Sequence, residues 1–178
     1  MNIHIPADWP AEGLNLPSPT VGGALRHAGD RRPVLVSFLR HFGCIFCREM
    51  IKDLRKAAST LEGFPAVVFV AQGTVGQARR AFARWWPSAR VILDNDLRLY
   101  HHFGLDRGTV GQMFGPQVVA CGIRAALKGN LVGRPVGDPW VMPGLFLVRG
   151  DSVVWRHTFD HAGDHPSMAD ILQAAEAQ

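Results

Sequence analysis

Tyrosine is almost absent from this chain: Tyr100 is the single one in 178 residues. Cysteine is scarce too, with three in all. An odd, small number does not suggest a disulfide-stapled secreted domain, so a reducing cytoplasm is the expected compartment. No apolar run approaches the roughly 20 residues a membrane-spanning helix needs, and no membrane partner is expected. The first residues lack the basic start and apolar core of a signal peptide. Lys and Arg form no consecutive block. The formal net charge of +4 is scattered, which reads as solvated surface, and no nucleic-acid partner is expected. Neither a Walker pattern nor a dinucleotide fingerprint is present. What remains is 47% hydrophobic and 19% charged, enough for one globular domain with a substantial core.

The most informative stretch is 38–50, which holds Cys44 and Cys47 two residues apart. Before it, residues 33–39 are short, β-branched and aromatic, the pattern of a buried strand. After it, Cys47, Ile51, Leu54, Ala58 and Leu61 recur at helical spacing. Cys44 is thus expected exposed at a helix tip, with Cys47 one turn inward. A thiol there faces unpaired N–H groups and the positive end of the helix dipole, both of which favour the thiolate. Arg40, His41 and Arg48 add positive potential if they point that way. The pair therefore reads as a nucleophile, Cys44, and a resolving thiol, Cys47, cycling between dithiol and disulfide. A zinc half-site or two inert buried thiols are the alternatives. Two cysteines alone cannot complete a tetrahedral site, and no metal is expected. A covalent haem site is excluded because Arg48 stands where that motif needs histidine.

Taken in order, residues 1–32 are a Pro-, Gly- and Ala-rich lead-in with a short helix over 20–26, and residues 33–178 form a single domain. Gly63 stops the redox helix. A second buried strand covers 64–71. Thr74 to Gln77 fits a capping box that opens a helix with Ala78, Ala81, Phe82 and Trp85 on one face. A third strand covers 90–93, and a short helix over 97–103 ends at Gly104. Residues 106–139 are a Gly-rich insertion, helical only over 117–127, read as an extended loop or a lid over the site. Cys121 lies in that helix and reads as a buried small hydrophobe rather than a second resolving thiol. Strands over 144–149 and 152–156 form a hairpin, and a last helix from about Ser167 turns Met168, Ile171, Leu172 and Ala175 inward. Strands alternating with helices argue a mainly parallel sheet covered on both faces, with the hairpin adding antiparallel strands.

The strand, the CxxC at a helix start and the late hairpin opened by Pro143 together resemble the thioredoxin fold. That resemblance implies a cis Met142–Pro143 bond facing Cys44, with the Met142 backbone within reach of a bound chain. Residues 93–105 resemble the extra strand-helix element of peroxiredoxins. Residues 38–48 and 157–166 resemble the peroxiredoxin-like branch of the AhpC/TSA antioxidant family, which includes selenoprotein-U-like and prostamide-synthase-like proteins. The chain departs from typical peroxiredoxins at two positions. Their peroxidatic cysteine follows Pro by seven residues and Thr or Ser by three; here Ser37 and His41 stand there. The hydroxyl that orients a peroxide is missing, with His41 as a substitute donor.

The expected fold is thus α/β and thioredoxin-like, a central mixed sheet flanked by helices with a peroxiredoxin-type insertion. The expected function is thiol–disulfide exchange on Cys44 and Cys47, supported by His41, Arg48, Met142 and Pro143. A dithiol donor such as thioredoxin or glutathione would restore the pair, and no bound cofactor is required. A peroxiredoxin-like hydroperoxide reductase using the same cysteines is the second reading, and a redox-sensing interaction module the third. His157, His161 and His165 recur at intervals of four, but Gly163 and Pro166 break any shared helix face, so loop-ordering roles are favoured over a metal. Of His101 and His102, adjacent on a helix, one packs and one is exposed. Arg124 and Arg134 are further candidates to support a thiolate.

Overall fold

A computed structural model describes residues 3–26, 32–130 and 132–178. In chain order the elements are β1 (Glu12–Leu14), α1 (Val21–Leu25), β2 (Val34–Phe38), α2 (Ile45–Thr60), β3 (Ala66–Ala71), α3 (Val75–Trp85) and β4 (Arg90–Leu93). Then follow α4 (Arg98–His102), α5 (Val110–Phe114), α6 (Pro116–Leu127), β5 (Gly144–Arg149), β6 (Ser152–His157) and α7 (Met168–Glu176).

The strands form one sheet in the order β1-β4-β3-β2-β5-β6. β2, β3 and β4 run parallel, while β5, β6 and the short β1 are antiparallel to their neighbours. Alternate residues of the same strands serve two different cores. Leu35, Phe69, Val91 and Leu147 face α2, α3 and α7, whereas Val36, Val68, Ile92 and Phe146 face α1, α4 and the N-terminal segment. Burial on both faces explains why β2 and β3 read as continuous apolar runs instead of alternating ones.

Local signals account for most helix starts. The capping box on Thr74 and Gln77 forms as expected, each end satisfying a backbone N–H of the other. Three departures from expectation have physical causes. The inward stripe of α2 ends on Ala57, not on Ala58 and Leu61, and Leu61 is the C-cap residue just past the helix. The N-terminal lead-in supplies an edge strand, with Gly13 paired to Ile92. Within 106–139 there are two helices, since Thr109 and Gln112 form a second capping box that opens α5 among glycines. No helix among the described residues is long and apolar enough to cross a membrane.

Candidate functional site

The site begins where β2 ends. Tyr100, the lone tyrosine, is buried under the sheet, and its hydroxyl donates to the Leu39 carbonyl at the end of that strand. The chain then makes a turn in which the Cys44 N–H donates to the His41 carbonyl at 3.0 Å. Cys44 is the N-cap of α2, and Cys47 lies in the first helical turn. Both thiols are free, so the pair stands in its dithiol form.

The surroundings separate the two sulfurs electrostatically. The Cys44 thiol is lowered from its ordinary value to about 6. The Cys47 thiol acting as hydrogen-bond donor contributes most; burial opposes it, and the Arg40 guanidinium and the N–H groups of Cys47 and Phe46 assist. The Arg40 Nη1 lies 3.7 Å from the Cys44 Sγ. Cys47 moves the other way: burial, then the neighbouring Cys44, holds it well above the ordinary thiol range. Its Sγ accepts the Arg40 N–H at 3.3 Å. The two sulfurs are therefore electrostatically unlike, Cys44 favoured as thiolate and Cys47 as thiol.

Cys44 is not exposed at the helix tip, contrary to expectation; it is only 4% accessible. Residues 132–142, a strap leading into β5, are fastened beside it. The Gly133 N–H donates to the Gly43 carbonyl at 2.8 Å, and Arg40 Nη2 donates to the Pro139 carbonyl at 2.6 Å. Gln72, just past β3, accepts the Asp138 N–H at 2.6 Å and donates to the Arg40 carbonyl at 3.2 Å. The strap is thus fastened at three places around the cysteine turn. Gln72 and Arg40 hold this arrangement; Arg40 supplies the positive potential expected of it, while Gln72 carries no sequence signal beyond lying one residue past an apolar strand.

The expected cis proline is overturned. The described residues contain no cis peptide bond, so Met142–Pro143 is trans. The segment enters β5 already extended: Val141 bridges Arg107, and the Met142 N–H donates to the Asp106 carbonyl at 3.0 Å. An extended approach suits a trans bond, and the Met142 N–H is already occupied. Pro143 lines a small cavity with Cys47, Phe159 and His165, and Cys44 is not among its lining residues.

The other candidates disperse. His41 is buried beside the cysteine turn, and burial, then Arg40 and Arg48, lowers its pKa to about 4. It is a neutral imidazole at pH 7. Its Nδ1 and the Arg40 Nε are buried without a hydrogen-bond partner among the described residues. Arg48 turns away from the sulfurs: its guanidinium lies over the Trp85 ring at 5.1 Å and its Nε donates to the Phe42 carbonyl at 3.3 Å. Arg124 does not support a thiolate. It makes a two-pronged contact with Glu49 at 3.2 and 3.1 Å, joined by Lys128 at 2.8 Å and His165 at 3.7 Å. Glu49 is a buried carboxylate that composition alone did not single out. His157 contacts Asp164 at 3.4 Å, and His161 Nδ1 accepts the Gly163 N–H at 3.2 Å, so the three histidines bind three different partners. Cys121 is half-buried on α6 rather than fully enclosed.

Comparison with known proteins adds the family. Residues 50–161, well over half of the chain, match the AhpC/TSA antioxidant enzyme family. The chain belongs to that family. The matched span starts beyond Cys47, so membership of the AhpC/TSA group rests on the body of the domain and not on the cysteine pair. Peroxiredoxin-like 2C of Homo sapiens is 23% identical over 167 residues, which cover 84% of this chain and 70% of that protein. Peroxiredoxin-like 2A of Xenopus tropicalis is 25% identical over 157 residues, covering 82% of this chain and 64% of that one. Prostamide/prostaglandin F synthase of Pongo abelii is 28% identical over 156 residues, covering 84% and 78%. Among solved structures, peroxidoxin BcpB from Mycobacterium tuberculosis superposes with a TM-score of 0.56 at 17% identity, over 83% of this chain and 81% of that one. The fold is accordingly the thioredoxin-like fold of peroxiredoxins. As an AhpC/TSA member, the chain has a redox, antioxidant type of role.

Proposed function

We propose that this protein is a thiol–disulfide oxidoreductase in which Cys44 attacks and Cys47 resolves. The observation that carries the reading is the placement of Cys44 at the α2 N-terminus between a donating thiol and the Arg40 guanidinium. The Cys44 thiolate attacks one sulfur of a substrate disulfide, RSSR′, forming a Cys44–SR mixed disulfide and releasing R′S⁻, which takes up a proton. Cys47 then gives up its proton and attacks the Cys44 sulfur. RS⁻ leaves, and a Cys44–Cys47 disulfide remains. A thiol reductant returns two electrons and two protons, restoring the dithiol. The strap and the occupied Met142 N–H favour small substrates over a folded protein docking along the chain.

A hydroperoxide reductase is the second reading, supported by the family and by the unpartnered His41 Nδ1 and Arg40 Nε. Here the Cys44 thiolate takes the terminal oxygen from ROOH and one proton is taken up from solvent, giving Cys44–SOH and ROH. Cys47 condenses with the sulfenic acid, giving the disulfide and water. The two are separated by comparing second-order rates for hydroxyethyl disulfide and for hydrogen peroxide at matched reductant. Exchange at least tenfold faster than free cysteine, lost in Cys44→Ser, supports the first reading. Exchange no faster than free cysteine, with rapid peroxide consumption, overturns it in favour of the second.

A further inference from the structure

Directly beside the cysteine turn is a cavity of about 340 Å³ whose wall is cationic. Arg48 and Lys52 of α2, Arg80 and Arg84 of α3, and Arg134 of the strap all line it, and no Asp or Glu does. Phe42 and Trp85 form an apolar floor. Two of the cations are held in place. Arg48 is fixed by the Phe42 carbonyl and the Trp85 ring, and Lys52 donates to Asn130 Oδ1 at 2.6 Å. Arg80, Arg84 and Arg134 make no ion pair with any described residue. The acidic residues of the same helix, Glu49 and Asp53, point elsewhere, to Arg124 and Lys128. Five positive groups converging on a concavity repel one another, an arrangement that an anionic occupant relieves. Arginine forks suit carboxylate or phosphate oxygens in pairs.

The cavity is also joined to the redox turn. Phe42 lies two residues before Cys44, and Gly133–Arg134 lies against Gly43, where a Cβ would collide with both carbonyl oxygens. We propose that this cavity binds the anionic portion, carboxylate or phosphate, of the small thiol or disulfide that exchanges with the cysteine pair. The inference rests on the exchange reading for its purpose and not for its binding. In the reductive direction one thiolate RS⁻ opens the Cys44–Cys47 disulfide to a mixed disulfide. A second RS⁻ then attacks the R sulfur, releasing RSSR and the second cysteine thiolate, so two electrons pass from two thiols to the protein.

Binding is read on the full chain carrying Cys121→Ser with its cysteine pair oxidised, so that no thiol is left to react with the probes. The probes in calorimetry are oxidised glutathione, the symmetric disulfide of coenzyme A, inorganic phosphate, and neutral hydroxyethyl disulfide. The expected result is saturable binding of an anionic disulfide, at least tenfold tighter than phosphate or the neutral disulfide. Charge reversal in Arg80→Glu with Arg134→Glu, both exposed positions, weakens it tenfold or more, and so does raising the salt from 0.05 to 0.5 M. Preference for oxidised glutathione assigns carboxylates, and preference for the coenzyme A disulfide assigns phosphates. Equal affinity for inorganic phosphate, no binding, or binding indifferent to the reversal overturns the proposal. Failure of exchange with hydroxyethyl disulfide overturns the exchange reading and leaves this binding result to stand or fall alone.

Discussion

Arg40 holds Cys44 from four residues upstream: its Nη1 sits 3.7 Å from the sulfur, while Nη2 of the same guanidinium ties down the Pro139 carbonyl at 2.6 Å. One side chain therefore both favours the thiolate and fastens the neighbouring strap. The first prediction follows from that double role. The alkylation rate of the wild type by iodoacetamide should rise with pH around a midpoint near 6, because a lowered thiol pKa keeps the thiolate down to that value. Below it the thiolate is lost by protonation. Arg40→Met should move the midpoint up by about one unit, since an opposite charge at this range lowers an acid by roughly 1–3 units. An unmoved midpoint would remove Arg40 from the account.

Cys47 contributes the largest favourable interaction with Cys44 and is held protonated itself. Cys47→Ala should therefore raise the Cys44 midpoint. Cys47→Ser, treated with hydroxyethyl disulfide, should stop at the mixed disulfide. Intact-mass spectrometry should find one adduct on Cys44 that persists until a thiol is added.

Gly43 touches the strap so closely that a methyl group would run into the carbonyl oxygens of Gly133 and Arg134. Gly43→Ala should lift the strap, at a cost of about 1–3 kcal/mol in urea unfolding. The same strain should raise the Cys44 alkylation rate at pH 8 by about tenfold, the factor that 1.4 kcal/mol of destabilised closure supplies. A slower or unchanged rate would mean that the strap does not control access.

Glu49 is buried against Arg124, Lys128 and His165. Glu49→Gln should cost about 3 kcal/mol by urea unfolding at pH 7, at the low end for breaking a buried pair because both long cations remain partly in water. The change should not move the Cys44 alkylation midpoint, which separates this cluster from the thiol site.

Burial, the largest effect at His165, lowers its pKa to about 4, against 6.5 when unfolded. Between these values the unfolded chain binds the proton and the folded one does not, so stability falls as pH drops from 6.5 towards 4. The contribution from this one group is on the order of 2–3 kcal/mol. Urea midpoints from pH 8 to pH 4 should show the decline, and His165→Gln should lessen it, the remainder coming from His41, which burial shifts the same way.

Much of this architecture was legible because short-range signals dominate it. β4 lies at residues 90–93 as read, the Thr74–Gln77 box forms, and the Gly150–Asp151 turn joins β5 to β6, all set by residues a few positions apart. The CxxC position at a helix start was legible for the same reason. What escaped depends on contacts across long separations. Gln72 meets Asp138 across 66 positions and Glu49 meets Arg124 across 75, and no periodicity in either segment encodes the partner. The burial of Cys44 belongs with these, as it lies within the main core cluster beside the strap and not at an open helix tip. The cis proline was inferred from a motif shared with a wider fold. It failed because the chain before Pro143 is already committed to an extended pairing with residues 106–107.

If the strap fastened at these three places governs access to Cys44, reaction there has a speed limit that thiol chemistry does not set. At low reagent concentration, reaction is proportional to the reagent and to the small open fraction. At high concentration it levels off at the frequency with which Gly133, Pro139 and Asp138 let go together. The plateau should be the same for a bulky alkylating agent and a minute one, because both wait on the same event.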